Sequence, residues 1–169
     1  MSRLAGLLLV FAAALTVRLI MPAARPMHAD EAIQADITAA LKHAGAWRYD
    51  AADYHGIVLP AFGAMGPAAQ TEASLRAVPA IAGAALALFV AATVGVPAGL
   101  LIALSPAMVY WSRFYIPEML LALLSALWLH ALRSRELAAW PFAGLLAAAM
   151  LAAKETALLS FLAAAAAWA

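Results

Sequence analysis

The chain contains no cysteine. That excludes disulfides, thiolate catalysis and cysteine-type zinc sites. Charge is scarce too: 11% of the 169 residues are Asp, Glu, Lys or Arg, and the formal net charge is +1. Such a balance suggests neither nucleic acid nor an acidic partner. The sequence also lacks a clear internal repeat. What it has in quantity is apolar side chains, 67% of the total, with a mean hydropathy of +0.93. Soluble domains are about 45–50% apolar. The composition is that of an integral membrane protein or a piece of one. The abundant alanine favours helices and lets them approach closely.

With so few charges, their positions carry information. The first apolar run, Leu4 to Ile20, follows Met1-Ser2-Arg3 and is longer than a usual signal core, so it reads as an uncleaved first span. Arg18 is expected to snorkel from its far end. Pro22 and Pro26 stop the helix. A polar segment follows, about residues 23–76, with six of the nine acids: Asp30, Glu31, Asp36, Asp50, Asp53 and Glu72. Within it, Ile33, Ile37 and Leu41 recur every fourth residue. That spacing predicts an amphipathic helix from Asp30 to His43, closed by Gly45. A second short helix is expected from Ile57 to Met65. Both read as helices lying at the membrane surface.

Further spans are predicted at Val78–Val94, Ala98 to about Val109, Met119–Leu132 and Leu137–Ala153, and a sixth begins at Ala157. The third is too short to cross unless the bilayer thins there or the helix continues past Ser105-Pro106. The expected fold is all-α: a polytopic membrane helix bundle of five to six spans, with amphipathic helices in the first outer loop. With a cytoplasmic N-terminus, Arg3, Arg133 and Arg135 lie inside. The acid-rich loop, the Arg113–Glu118 corner and Lys154-Glu155 then share the outer face. The last apolar run is short, so the chain reads as part of a longer protein.

Four groups of residues could carry chemistry, and each has a plainer alternative. Asp30-Glu31 could cap a helix, or Asp30 could take a proton from an acceptor hydroxyl. Tyr49-Asp50 and Asp53-Tyr54-His55-Gly56 could be a solvated turn. They could also be a substrate-facing loop, with Tyr54 and His55 to stack and hydrogen-bond and Gly56 to let backbone approach closely. Arg113 and Glu118 could pair with each other, or Arg113 could grip a phosphate while Glu118 orients it or helps hold a cation. Lys154-Glu155 could be a snorkelling span end or an intramembrane functional pair that meets a lipid phosphate. His28, His55 and nearby acids show no diagnostic metal-ligand spacing.

Taken in order, His28-Ala29-Asp30-Glu31-Ala32, Tyr49-Asp50, Asp53-Tyr54-His55-Gly56, Leu104-Ser105-Pro106, Ser112-Arg113-Phe114-Tyr115-Ile116-Pro117-Glu118-Met119 and Ala153-Lys154-Glu155-Thr156 resemble the motifs of GT-C membrane glycosyltransferases. The branch is the flippase-activity-associated one, related to the protein mannosyltransferases and the lipid A aminoarabinose transferases. The resemblance runs along nearly the whole chain. It implies an inverting transferase that moves a sugar from a polyprenyl-phosphate donor to a glycan, lipid or protein acceptor, on the extracytoplasmic face of the plasma (inner) membrane. Asp30 matches the family's catalytic acid, with Glu31 beside it. Arg113, Glu118 and Lys154 match positions associated with the donor phosphate, and Glu155, Tyr54 and His55 join the candidate substrate-binding set. A divalent metal stays open, with Asp30, His28 and Glu118 the candidate ligands. Family members carry more spans and usually an outer C-terminal soluble domain, so the chain matches the N-terminal part of the membrane module.

Two other functions fit the same composition: a non-catalytic membrane subunit that assists flipping or assembly of lipid-linked sugars, and a proton-coupled transporter. A transporter more often places its acids inside spans and shows internal repeats. Here most acids cluster in one loop.

Overall fold

The computed structural model describes residues 2–48, 56–67, 69–134 and 136–168. Among them the chain is all helical, with no strand. The helices are α1 (Arg3–Leu19), α2 (Ala29–Ala44), α3 (Val58–Ala64), α4 (Glu72–Thr93), α5 (Val96–Leu104), α6 (Pro106–Trp111), α7 (Glu118–Arg133), α8 (Ala139–Ala153) and α9 (Ala157–Trp168).

Local chemistry sets most boundaries. The Ser2 hydroxyl accepts the amide of Ala5 and opens α1. Thr71 and Ser74 cap each other's backbone at the start of α4. Between α5 and α6, the expected third span breaks at Ser105-Pro106 instead of continuing straight. Proline has no N–H to give and fits best in a helix's first turn, where Pro106 stands. α2 ends at Gly45, in the left-handed region at φ 61°. A residue without Cβ takes that conformation at no steric cost.

Three apolar clusters hold the helices together. Val10, Ala14, Ala84, Ala87, Ala91 and Ala103 join α1, α4 and α5. Trp128, Ala131, Ala143, Leu146, Met150 and Ala157 join α7 and α8 to the start of α9. Leu59, Leu75, Ala82, Tyr115 and Leu120 bind α3 onto α4 and α7. The first cluster is nearly all alanine, so its contact comes from close approach rather than from bulk.

Among the described residues one helix, α4, is long and apolar enough to cross a membrane. Its 22 residues span about 33 Å at 1.5 Å per residue, against a hydrocarbon core of about 30 Å. α1 has 17 residues, α7 has 16 and α8 has 15, so each is shorter than the core.

Arg18 departs from expectation. It does not snorkel: it is 1% exposed. It donates to Ser112 Oγ at 3.0 Å, to the Ala14 carbonyl at 2.9 Å, to Ala103 at 2.8 Å and to Ile102 at 3.3 Å. The break after α5 leaves that helix's last carbonyls without intrahelical partners. The guanidinium serves them.

The two ends of the bundle differ. At one, Arg3 Nη2 donates to the Ala92 carbonyl and ties the start of α1 to the end of α4. At the other, Arg76 near the start of α4 reaches the carbonyls of Pro22, Arg25 and Pro26, just past α1. α2, α3 and the turn from α6 into α7 gather at this second, polar end.

Candidate functional site

The polar end is built around Glu31, which is fully buried. It is the third residue of the first turn of α2 and completes a capping box. Its carboxylate accepts the His28 amide at 3.0 Å, and the His28 ring accepts the Asp30 amide. The helix thus caps on His28, not on Asp30. The remaining partners come from far along the chain. Arg76 donates from Nε at 2.8 Å and from Nη2 at 3.0 Å, Arg25 from Nη1 at 3.3 Å, and the Tyr115 amide at 2.7 Å. Five donors on two carboxylate oxygens fill the group's acceptor capacity. Burial alone pushes the Glu31 carboxyl up. The Arg76 bonds and the two backbone amides outweigh it, so the pKa lies below the ordinary carboxylate range. The geometry gives Glu31 the work of holding the site together.

Tyr115 is the second fixed point. Its hydroxyl meets Thr38 Oγ1 at 2.8 Å and donates to the Leu59 carbonyl at 3.2 Å. Burial raises its pKa to about 12, against the opposing Thr38 bond. It stays neutral and can serve as a donor. Gly63 of α3 leaves the hydroxyl its space, because a Cβ there would overlap it.

The inward face of α2 therefore differs from what its pattern predicts. The helix forms where expected. Its fully buried residues, however, are Glu31, Gln34 and Thr38, while Ile33, Ile37 and Leu41 are only half-buried. Glu31 and Thr38 turn in because partners wait there, Gln34 turns in with its amide making no hydrogen bond, and the apolar stripe is left for the outside.

Asp30, next to Glu31, points the other way. Its side chain is 59% exposed, with the His28 ring 3.6 Å away. It is an open carboxylate at this end.

Lys154, at the end of α8, pairs with Glu118 at the start of α7. Both side chains are 34% exposed. Glu118 Oε2 is buried without a hydrogen-bond partner. Gly56 packs so tightly on the end of α8 that a Cβ would overlap the carbonyl oxygens of Ala152 and Ala153. Gly56 thus sits against the last residues of α8, just before Lys154. Tyr54 and His55, with Tyr49, Asp50 and Asp53, lie outside the described residues. Glu155 follows Lys154 in the exposed turn that leads into α9.

The sequence expectation that joins Arg113 to Glu118 needs correction. Arg113 Nη2 donates instead to the carbonyls of Ile20 at 2.7 Å and Met21 at 3.3 Å. This places Arg113 on the α1–α6 flank, while Lys154 stands on the α7–α8 flank. The turn at 112–117 points the two side chains of the motif in different directions.

Nor do the described candidates, His28, Asp30 and Glu118, come together around a metal position. Among the described residues no three His, Asp or Glu side chains gather closely enough to hold one. His28 and Asp30 are neighbours, but Glu118 is committed to Lys154.

Sequence reasoning passed over Arg25 and Arg76. Arg76 is 1% exposed, and Arg25 lies 3.3 Å over the Phe114 ring. The one local signal was Glu31 three residues after His28, the spacing of a capping box.

Compared with known protein families, curated proteins and solved structures, the chain matches none.

Proposed function

We propose that this chain is the membrane-embedded, multi-pass part of an inverting glycosyltransferase. It takes a sugar from a polyprenyl-phosphate donor at the polar end of the bundle, on the extracytoplasmic face. The reading draws on the GT-C motif resemblance. The observation that carries it is the gathering of Asp30, Glu31, Glu118 and Lys154 at one end of an otherwise apolar helical bundle.

Asp30 takes the proton from the acceptor hydroxyl. The acceptor oxygen attacks the anomeric carbon on the face opposite the phosphate. The bond from that carbon to the phosphate oxygen breaks, and polyprenyl phosphate departs with the electron pair. Lys154 stabilises the leaving charge, with the phosphate displacing Glu118 from it. Glu31, fixed by Arg76, Arg25 and the Tyr115 amide, holds the first turn of α2 and hence Asp30 in place. The acceptor is a glycan, a lipid or a protein.

Release of polyprenyl phosphate from a sugar-charged donor by the protein in bilayers, dependent on acceptor, tests the reading. A second reading, a non-catalytic subunit for lipid-linked sugars, is favoured by one fact: Glu31 and Lys154 are both already ion-paired. A stable protein in its native assembly that releases none would select it.

The orientation has its own test, made simple by a chain without cysteine. Ser74→Cys, at the polar end, is expected to react with an impermeant thiol reagent in intact cells. Ser134→Cys, after α7, is expected to react only once the membrane is opened. The reverse pattern would put the polar end in the cytoplasm.

A further inference from the structure

We propose that the pocket between the end of α1 and α6 binds the headgroup of an anionic bilayer phospholipid, separately from the donor. The proposal rests on the membrane embedding argued above, but not on glycosyl transfer. The pocket has a volume of about 430 Å³ and is lined by Met21, Pro22, Arg25, Val109, Tyr110 and Arg113, among others.

Charge is the first argument. Arg25 and Arg113 both line the pocket. Arg25 shares its carboxylate, Glu31, with Arg76. The Arg113 bonds described above go to backbone carbonyls, which carry no compensating charge. Arg18, behind the pocket at Ser112, is likewise held by a hydroxyl and carbonyls. The flank is rich in guanidinium and poor in acid, and a guanidinium matches a phosphodiester's oxygens well.

Position is the second. Tyr110 and Trp111 are 56% and 45% exposed at the rim, and Met21 and Ile20 beside them are 71% and 54% exposed. Exposed aromatics next to exposed aliphatics mark the level where hydrocarbon gives way to headgroups. A phosphate at Arg25 and Arg113 would leave its acyl chains along the apolar lining from Pro106 to Val109.

Topology separates this pocket from the donor site. α1 packs on α4, α5 and α6, whereas α8 packs on α7, α3 and α9. Arg113, bonded to the end of α1, and Lys154, bonded to Glu118, therefore belong to different helix groups.

The test is native mass spectrometry of the full chain in a neutral detergent, titrated separately with phosphatidylglycerol, phosphatidylcholine, polyprenyl phosphate and inorganic phosphate. Phosphatidylglycerol is expected to bind at least ten times more tightly than phosphatidylcholine. Arg113→Gln should weaken it about tenfold, Arg113→Lys much less, and Lys154→Gln not at all. Ala24→Glu, which adds a carboxylate to the lining without touching either arginine, should abolish the preference even if Arg113→Gln fails to fold. Equal binding of the two phospholipids would overturn the proposal, and so would an unchanged Ala24→Glu. Displacement by millimolar inorganic phosphate would mean a soluble-anion site. Arg113-dependent displacement by polyprenyl phosphate would mean that the donor itself occupies the pocket. Either result would also overturn it. None of these results depends on the transfer assay.

Discussion

Glu31→Gln is expected to destabilise the protein by about 3 kcal/mol, within the roughly 3–5 kcal/mol that breaking a buried ion pair costs. The substitution preserves shape and removes only charge and one acceptor. All five groups that reach Glu31 are donors, from Arg76, Arg25, His28 and Tyr115. An amide NH2 in place of one oxygen would face donors with a donor and leave the buried Arg76 guanidinium with only the half-exposed Glu72 carboxylate, at 3.3 Å, as counter-ion. Thermal unfolding in detergent should show the loss, and Arg76→Gln should show a similar one. Glu31→Leu combined with Arg76→Leu should recover part of it, because the charges left without partners, Arg25 and Glu72, are the partly exposed ones. A Glu31→Gln protein as stable as the parent would mean that the hub does not hold this end together. The pH dependence follows from the lowered pKa. The unfolded carboxyl binds protons at a higher pH than the folded one. The stabilisation is therefore complete above the ordinary carboxylate range and is lost as pH falls through the lowered folded value.

Asp30→Asn is expected to cut sugar transfer by roughly 10²–10⁴ while leaving the fold intact, the range for losing a positioned general base. The stability half of this expectation comes from exposure. The Asp30 side chain is 59% exposed, and its main contact is with His28 at 3.6 Å. Exposed pairs contribute little to stability. The capping hydrogen bond at Asp30 uses its backbone amide, which Asn keeps. Lys154→Ala should also slow transfer, and Lys154→Arg should restore much of the rate if the residue supplies charge to a phosphate. A stable Asp30→Asn protein with full turnover would remove the base and leave the helix-start role alone.

These two neighbours show how much the sequence could and could not reveal. The helices were legible because their signals are local. Apolar runs end at Pro22, Gly45, Gly95-Val96-Pro97, Ser105-Pro106 and Lys154, and the helices end within a few residues of them. The polar end was legible as a place, since counting runs put the breaks on one side. Its wiring was not. The side chain and amide that complete the Glu31 hub lie 45 and 84 residues away, at Arg76 and Tyr115. Neither spacing leaves a mark on periodicity. Periodicity also names the residues on one face without saying which face turns inward. In water the Ile33, Ile37, Leu41 stripe would turn in. Here the face with Glu31 and Thr38 does, because Arg76 and Tyr115 satisfy it. Arg18 misled for a related reason. Snorkelling is the default for an arginine near a span end, but the free carbonyls at the end of α5 offered a buried alternative.

The account predicts direct, single-displacement transfer, with Asp30 as base on one side of the sugar and the phosphate leaving from the other. The measurement that addresses it most directly is the anomeric configuration of the product. A polyprenyl-phosphate sugar of known configuration would be turned over by the full-length protein in bilayers, and the product would be examined by NMR. The account predicts inversion at the anomeric carbon, abolished by Asp30→Asn. Retention of configuration, or inverted product formed equally well by Asp30→Asn, would contradict it.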